Sequence, residues 1–387
     1  MEVKARAPGK IILAGEHAVV HGSTAVAASI DLYTYATLRL TSPSESNDML
    51  KLQLTDLGLE FSWPIGRIKK ALPDLGFPFS STPRTASAES VKVITTLVEE
   101  QNIPEAKIGL ASGVSAFLWL YTCIQGFKPA SVVVTSGLPL GSGLGSSASF
   151  CVAISAALLA LSGSVPMGTS HHGWLSYEES DLELLNKWAF EGEKLIHGKP
   201  SGIDNTVSTY GNMIKYRSGS LTRIKSNFPL RMLITNTKVG RNTKALVAGV
   251  SERMLRHHDA MNFIFRAVNS ISEELATVLQ SPVHDDLSVT ATEEKLEELM
   301  EMNQGLLQSF GVSHASIETV LQTTLKYKLS SKLTGAGGGG CVLTLLPSSL
   351  SGMVVDKVIA ELESYGFQCF TAAIGGNGAE ACFDDQP

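Results

Sequence analysis

Residues 137–148, GLPLGSGLGSSA, decide how this chain is organised, because they join a predicted strand to a predicted helix. A β-branched run at 132–135 precedes this first glycine stretch, and an apolar segment rich in small residues follows it at 148–161. Residues without a Cβ let the backbone adopt positive φ and approach a ligand closely. In this stretch they are Gly141, Gly143 and Gly145.

The same stretch has the features of a phosphate site. Ser146 and Ser147 fall where helix N-caps are favoured, and the start of a helix offers free N–H groups and a positive dipole end. A glycine-rich turn is more often only a turn, and this one matches neither the full G-x-G-x-x-G pattern nor a Walker A loop, since no lysine follows the last glycine. The two serines favour the phosphate, because their hydroxyls can cap the helix and reach a phosphate-bound metal.

Composition limits the class of protein. The chain has 387 residues, of which 44% are hydrophobic and 18% charged, which is typical of a globular protein with a large core and room for two domains. A formal net charge of -6 without a long basic run argues against nucleic acid or a membrane surface as partner. Five cysteines without a C-x-x-C pair argue against a disulfide framework and a zinc site. The apolar stretches are shorter than a bilayer span and no signal is recognisable, which predicts a cytoplasmic protein.

The first part of the chain reads as a β-rich layer followed by helices. Residues 2–14 predict a hairpin that breaks at Pro8-Gly9, and the segments 19–37 and 50–61 predict further strands. Polar or proline-rich composition predicts loops at 42–48, 73–87 and 164–180. The adjacent His171 and His172 in the last of these are more typical of solvated side chains than of metal ligands. Helical spacing is found at 89–101, 105–124 and 148–161, the last closed by Gly163.

The next predicted helix, 181–197, aims one carboxylate inward. At about 100° per residue, Glu193 projects within about 20° of Leu182 on the buried stripe, whereas Glu191 projects to the opposite side. A buried carboxylate needs a partner, since isolated burial would neutralise it. The partner is either a Lys or Arg in the core or a divalent cation near the first glycine stretch, and we favour the cation.

Downstream, Asp204 lies in a sharp turn, GKPSGIDN at 198–205, just before a predicted strand at 206–210. Most aspartates in such a context only form the turn or cap a helix. A new pattern begins near Pro229, where a strand at 231–237 leads into a helix capped by Asn242 or Thr243. Helices are then predicted at 243–256, 260–279, 292–310, 313–328 and 354–365, and strands at 332–334, 341–346 and 367–374. The sequence predicts an α+β protein with domains 1–228 and 229–387.

A second glycine stretch, GAGGGG at 335–340, lies between two of these predicted strands. So many glycines are costly to order. The stretch is either a tight bulged turn or a wall of the active site. We favour the wall, because it is the second place in the chain where backbone approaches a ligand without a side chain in the way.

Several stretches together resemble the motifs of the GHMP kinases, the superfamily of galactokinase, homoserine kinase, mevalonate kinase and phosphomevalonate kinase. The three superfamily motifs correspond to APGKIILAGEHAVV at 7–20, PLGSGLGSSA at 139–148 and KLTGAGGGGC at 332–341. Within the superfamily, other stretches are similar to the mevalonate kinases, most closely the eukaryotic ones: GEHAVVHG at 15–22, NKWAFEGE at 186–193, HGKPSGIDN at 197–205 and TNTKVGRNT at 235–243. The resemblance covers nearly the whole chain.

The resemblance implies a fold, a reaction and the residues that carry it. It implies an N-terminal domain like ribosomal protein S5 domain 2, a ferredoxin-like C-terminal domain, and a site between them. The reaction would be the ATP-dependent phosphorylation of the primary hydroxyl of mevalonate to 5-phosphomevalonate, for isoprenoid and sterol synthesis. Asp204 would be the general base with Lys10 beside it, and Ser147 and Glu193 would bind Mg²⁺. The ATP phosphates would be held by Gly141, Ser142, Gly143, Leu144, Gly145, Ser146 and Ser147, with Lys10.

Further positions and partners follow from the same resemblance. Residues similar to those of the family's acceptor site are Glu16, His17, Ser201 and Thr243, in addition to Asp204. Ser136 and Asp56 would lie near the nucleotide. The family is often homodimeric, and many members are inhibited by prenyl diphosphates that compete with ATP.

Three rival functions remain open at this point. A related kinase would act on phosphomevalonate or a sugar, although GEHAVV lacks the GEHTDY form of galactokinases. A nucleotide-binding regulator of the same fold would have lost the base or a metal ligand, whereas Lys10, Ser147, Glu193 and Asp204 are all present. A purely structural protein would leave both glycine stretches without a reason.

Overall fold

The structure is a computed structural model that describes residues 2–41, 48–73, 82–162, 167–171 and 173–384. Helices and strands alternate in it, which confirms the α+β class. Several predicted features lie wholly or largely outside the described residues: most of the 42–48 loop, part of the 73–87 loop, Gly163 and His172.

The N-terminal elements surround the first glycine stretch. They are β1 (Glu2–Ala14), β2 (Ala25–Leu40), β3 (Met49–Leu54), β4 (Leu59–Pro64), α1 (Ile65–Ala71), α2 (Ala88–Glu99), α3 (Ala111–Gln125), β5 (Ala130–Ser136), α4 (Ser146–Leu161), β6 (Met167–His171), β7 (Trp174–Tyr177), α5 (Glu179–His197), α6 (Ile203–Tyr210), β8 (Met213–Arg217) and β9 (Ser220–Ile224). Short 3-10 helices occupy Ala18–His21, Thr55–Leu57 and Glu105–Leu110.

The C-terminal elements contain the second glycine stretch, between β11 and β12. They are β10 (Leu230–Asn236), α7 (Thr243–Arg256), α8 (His258–Gln280), α9 (Asp286–Phe310), α10 (Ala315–Lys326), β11 (Ser331–Leu333), β12 (Cys341–Leu345), α11 (Gly352–Ser364), β13 (Gln368–Ile374) and β14 (Glu380–Asp384). Asn242 caps α7 by accepting a hydrogen bond from the N–H of Ala245 at 3.1 Å, as the sequence predicts. The division at residue 228 stays a prediction.

One sheet connects the described strands and places β1 in its middle. Its main path runs β11-β12-β10-β13-β2-β1-β14-β7-β6. The long strand β2 pairs antiparallel with β1 from Glu2↔Arg39 to Ala14↔Val26, and it also pairs with β5, β8 and β13. This topology brings β1, the glycine stretch after β5 and the strands around the second glycine stretch to one region.

Helices pack against the sheet through separate hydrophobic cores. A core around Phe117, Tyr121 and Trp188 joins the N-terminal strands to α2–α5, and further cores pack α8 and α9 against β10–β13. Truncating one of these aromatic side chains to Ala would cost about 3–5 kcal/mol. Contrary to our expectation from length, Lys107–Gln125 is long and apolar enough to cross a membrane, with a mean hydropathy of 1.4. However, 61% of it is buried inside the protein, as in the core helix of a folded domain.

Two predictions near the N-terminus are wrong. Pro8-Gly9 does not break the first strand, because β1 continues through it with a bulge that shifts the register between Pro8 and Gly9. The bulge is stabilised from outside the sheet, since hydroxyls of Ser149 and Ser208 donate to the carbonyls of Ala7 and Pro8 at 2.8 and 2.6 Å. The start of the predicted strand 19–37 is instead the 3-10 helix Ala18–His21.

Three more predictions are wrong in the segment that carries the carboxylates. Residues 206–210 form the end of α6 rather than a strand. Gly202, with a φ of 81, is the N-cap of this helix. The hydroxyl of Thr206 donates to the carbonyl of Gly202 at 2.6 Å, a bond that a helix permits. The predicted loop 164–180 contains the paired strands β6 and β7. Glu191 is buried like Glu193, and it is stabilised there by an ion pair with Lys194 at 2.8 Å.

Candidate active site

The β1 bulge positions a buried lysine beside the first glycine stretch. The N–H of Lys10 donates to the carbonyl of Leu144 at 2.8 Å, which joins the strand directly to the loop. Gly145 has a φ of 75, and a Cβ there would lie 2.8 Å from Cγ of Lys10. The loop can therefore pack on the lysine stem only because this residue is glycine.

The first glycine stretch ends in an uncapped helix start. Gly141, Gly143 and Gly145 all have positive φ, as the sequence predicts. Gly145 is the N-cap of α4 and no side chain among the residues that the structure describes caps the helix, so Ser146 and Ser147 are its first two residues rather than its cap. This corrects the predicted capping role of the serines. The N–H groups of the first turn consequently have no acceptor within the helix, which is the arrangement that binds anions.

Glu193 projects from α5 toward this helix start, as predicted. It is 2% exposed, and its Oε1 has no hydrogen-bond partner among the described residues. Burial first, and the charge of Asp204 second, raise the pKa of Glu193 to about 7, although the Ser147 hydroxyl and Lys10 act in the opposite direction. A buried carboxylate oxygen without a partner fits a site for a cation.

Asp204 lies in the first turn of α6, where it meets Lys10. Its Oδ1 is 2.9 Å from the Nζ of Lys10. An amide network fixes the helix behind it, because Nδ2 of Asn205 donates to Oδ1 of Asn186 on α5 at 2.6 Å. The two carboxylates, Asp204 and Glu193, thus lie on helices that are bonded to each other.

An arginine that the sequence analysis did not single out joins the two glycine stretches. Nη2 of Arg241 donates to the carbonyl of Ser142 at 3.0 Å, and Nη1 lies 3.5 Å from the carbonyl of Thr334. A Cβ on Gly143 or Gly340 would clash with its guanidinium, at 1.6 and 2.3 Å. Both glycines are therefore needed for the arginine to fit, and burial lowers its pKa from the ordinary value. Its place inside the TNTKVGRNT stretch was the available signal.

Of the predicted acceptor residues, His17 contacts the second glycine stretch, and Glu16 contacts the lysine that precedes it. Glu16 is buried in an ion pair with Lys332 and accepts from Nδ2 of Asn303 at 3.2 Å. Nε2 of His17 is 2.9 Å from the carbonyl of Ala336, and burial lowers the pKa of the imidazole. Lys332, which begins the third motif, was not predicted as a site residue. Its buried charge joins β11 to the loop that carries His17.

The other predicted positions fall into two groups. Ser136 and Asp56 are in contact, since the N–H of Ser136 donates to Oδ2 of Asp56 at 2.5 Å. Both line a cleft of about 510 Å³ together with Ser146 and Ser147. Ser201 and Thr243 have exposed side chains, Ser201 just before α6 and Thr243 at the first position of α7.

Comparison with known proteins gives matches over both halves of the chain. Residues 96–212 match the family model of the GHMP kinases N terminal domain, and residues 289–352 match that of the GHMP kinases C terminal domain. The chain is 68% identical to a mevalonate kinase of Arabidopsis thaliana, covering 99% of this chain and 100% of the relative. It is 39% identical to a mevalonate kinase of Homo sapiens, covering 96% and 93%.

Solved structures show the same fold at lower identity. The Methanococcus jannaschii mevalonate kinase superposes with a TM-score of 0.70 at 22% identity, covering 97% of this chain and 98% of that one. The L. major mevalonate kinase, solved in complex with R-mevalonate, superposes with a TM-score of 0.69 at 22% identity, covering 97% and 96%. The two-part α+β architecture is therefore the one shared by these proteins.

Proposed function

Since this chain belongs to the mevalonate kinase family of the GHMP kinases, we propose that it transfers the γ-phosphoryl group of ATP to the primary hydroxyl of mevalonate. The product would be 5-phosphomevalonate, an intermediate of isoprenoid and sterol synthesis. The observation that carries the proposal is the convergence of four groups that the sequence separates widely. The start of α4, Glu193, Lys10 and Asp204 are linked by the contacts described above.

The phosphates of ATP are proposed to bind at the first glycine stretch. There the open N–H groups of the first α4 turn and the positive dipole end supply the charge that phosphoryl oxygens need. The proposed phosphate-binding residues are those from Gly141 to Ser147, with Lys10. The base of ATP would occupy the cleft lined by Ser136 and Asp56, whose wall is otherwise mostly apolar.

The residues also fit a Mg²⁺ ion. Glu193 offers a buried oxygen without a hydrogen-bond partner in the described part of the chain, and Ser147 offers a neighbouring hydroxyl. Among the described residues there is no group of three or more His, Cys, Asp or Glu side chains that would hold a metal alone. This suits Mg²⁺, which is commonly bound by one or two protein groups plus substrate phosphates. When bound, the ion would neutralise charge on the transferring phosphoryl group.

Asp204 is proposed as the general base. Its side chain is 37% exposed, so a substrate hydroxyl can reach the carboxylate and pass its proton to it. Lys10 holds that carboxylate in place through the 2.9 Å contact. His17, Ser201 and Thr243 are proposed to bind the remainder of mevalonate, and buried Glu16 is proposed to act there by fixing the loop that presents His17. R-mevalonate is the ligand of the L. major relative.

The test is ATP consumption with four acceptors, namely mevalonate, phosphomevalonate, galactose and homoserine. We expect turnover with mevalonate alone among the four. Turnover with phosphomevalonate or galactose instead would identify a related kinase, and nucleotide binding without turnover on any acceptor would favour the non-catalytic regulator. Asp204→Asn serves as the matched inactive control, because it keeps the shape of the side chain.

Three further properties are proposed on the same basis. A cytoplasmic location is supported by the five cysteines, none of which forms a disulfide. Competition between prenyl diphosphates and ATP is supported by apolar groups near the proposed phosphate site, for example Leu54, Phe150 and Ile196. A homodimer is the family's common state, and size-exclusion chromatography with light scattering tests it.

A further inference from the structure

The hydroxyl of Ser147 lies between two side chains of α5. Its Oγ is 3.0 Å from Nε2 of His197, and the same hydroxyl lies close enough to the Glu193 carboxylate to lower the pKa of that carboxylate. Residues four apart on a helix face the same side, so Glu193 and His197 both point toward the start of α4. One serine hydroxyl therefore contacts an imidazole and lies beside a carboxylate of the same helix.

His197 belongs to helix α5 and not to the loop that follows it. It is the last residue of α5, and Gly198 closes the helix by donating its N–H to the carbonyl of Lys194 at 2.8 Å. The neighbouring Ile196 lines the cleft proposed for the nucleotide base. The His197 imidazole is exposed, contacts the start of α4 and follows in sequence a residue that lines the cleft.

The role of His197 follows from the single proton of the Ser147 hydroxyl, which needs an acceptor. A serine hydroxyl has one proton and two lone pairs. If a lone pair faces Mg²⁺, the proton must be donated to another acceptor. Nε2 of His197, 3.0 Å from this hydroxyl, is an acceptor that is not itself a proposed ligand of the ion, so it can take the proton and leave the Glu193 carboxylate to the ion.

We propose that His197 is a positioning residue for the metal site, because its Nε2 accepts the proton of Ser147 and so turns a lone pair of that hydroxyl toward Mg²⁺. The inference rests on the proposed Mg²⁺ site of Ser147 and Glu193 and adds the residue that orients it. Groups that orient metal ligands typically change metal affinity by about 10- to 100-fold when removed.

The test uses Mn²⁺ as a spectroscopic probe. Electron paramagnetic resonance measures the Kd of Mn²⁺ for the full-length protein saturated with a non-hydrolysable ATP analogue, and calorimetry in EDTA measures the Kd of the analogue alone. We expect His197→Leu to raise the Kd of Mn²⁺ about 10-fold or more, with the Kd in EDTA unchanged. His197→Gln keeps an acceptor oxygen and should stay within a few-fold of wild type.

Further variants separate this inference from the proposed function. Ser147→Ala should weaken Mn²⁺ binding, and adding His197→Leu to it should have no further effect, since the two residues act through one bond. His284→Leu, at an exposed histidine, is the matched control. If Ser147→Ala leaves the Kd of Mn²⁺ unchanged, the proposed metal site is wrong. If Ser147→Ala weakens Mn²⁺ and His197→Leu does not, or if His197→Leu weakens the analogue equally in EDTA, the role of His197 is overturned while the site stands.

Discussion

Lys10 and Asp204 form an ion pair that is buried on one side only. The Lys10 side chain is 8% exposed, whereas the Asp204 side chain is 37% exposed. The lysine is thus fixed by the β1 bulge and the first glycine stretch, and the carboxylate it holds remains open to a ligand. An exposed ion pair contributes little to stability, so the pair is better explained by the position it gives to the carboxylate.

The first prediction concerns Asp204→Asn. An amide cannot accept the hydroxyl proton, so we expect kcat to fall by about 10²- to 10⁴-fold, the usual contribution of a general base. The Kd of ATP should stay within a few-fold of wild type, because the phosphates bind to other groups. Steady-state kinetics and calorimetry measure the two quantities. Asp259→Asn is the control, at a side chain that is 95% exposed, and turnover near wild type in Asp204→Asn would remove this residue from the mechanism.

The second prediction compares two glycines of the same loop. Gly145 and Gly141 have φ of 75 and 67, so alanine at either position incurs a similar backbone strain of about 1–2 kcal/mol. A Cβ meets Cγ of Lys10 at 2.8 Å in Gly145→Ala and nothing within 4 Å in Gly141→Ala. We expect similar losses in Tm and a larger fall in kcat in Gly145→Ala than in Gly141→Ala, of up to about 10²-fold, because a displaced Lys10 is a misplaced reactive group. Equal kcat values in the two variants would contradict the prediction that a Cβ at position 145 displaces Lys10.

The third prediction follows from the raised pKa of Glu193. Its pKa is about 7 in the folded protein against an ordinary 4.5, so the folded state binds this proton more tightly than the unfolded state. The free energy of unfolding of the ligand-free protein should therefore decrease as pH rises from about 4.5 to about 7, by on the order of 3 kcal/mol at most. Glu193→Gln should flatten this part of the profile of Tm against pH.

The binding of Mg²⁺ and ATP gives an independent measure of the protonation of Glu193. Mg²⁺ favours the ionised carboxylate, so binding of Mg²⁺ and ATP near pH 6.5 should release a proton from Glu193. Calorimetry in two buffers of different ionisation enthalpy counts this proton, and Glu193→Gln should not release it. An equal proton count for both proteins would show that Glu193 is already ionised before binding.

The fourth prediction concerns Arg241, which joins the two glycine stretches. Lysine cannot reproduce a planar fork that donates to two carbonyls, so Arg241→Lys is not a conservative change. We expect faster amide exchange in both glycine stretches and a lower kcat. Arg253 is the matched control, because it packs against Gly311 in the same way and donates to the carbonyl of Ser309 at 2.9 Å. Arg253→Lys should lower Tm without changing kcat, and identical kinetic effects in both variants would show a general loss of stability.

Local sequence predicted the elements of this site more reliably than the bonds between them. The glycines with positive φ, the inward Glu193 and the cap of α7 follow from residue type and helical period. The α6 helix was missed because Thr206, Val207 and Thr209 favour strands, and burial against α5 and β1 overrides that preference.

Other features could not be predicted because they depend on residues distant in sequence. The bulge at Pro8 is held by hydroxyls from α4 and α6, and Arg241 bonds to loops that are 99 and 93 residues away in sequence. Glu191 shows the limit of helical projection. Glu191 lies opposite the apolar stripe of α5, so helical period alone predicts that it is exposed to solvent. In the folded protein other elements bury it.

The position of β14 affects how this protein can fold during synthesis. The strand Glu380–Asp384 pairs with β1 residue by residue, from Glu2↔Asp384 to Arg6↔Glu380, and also with β7. During synthesis on the ribosome, β1 therefore lacks this partner strand until residues more than 370 positions later in the chain have been made. Until those residues emerge, the nascent chain exposes an unpaired strand edge next to Lys10. Such an edge can pair with other chains, which makes it a target for chaperones.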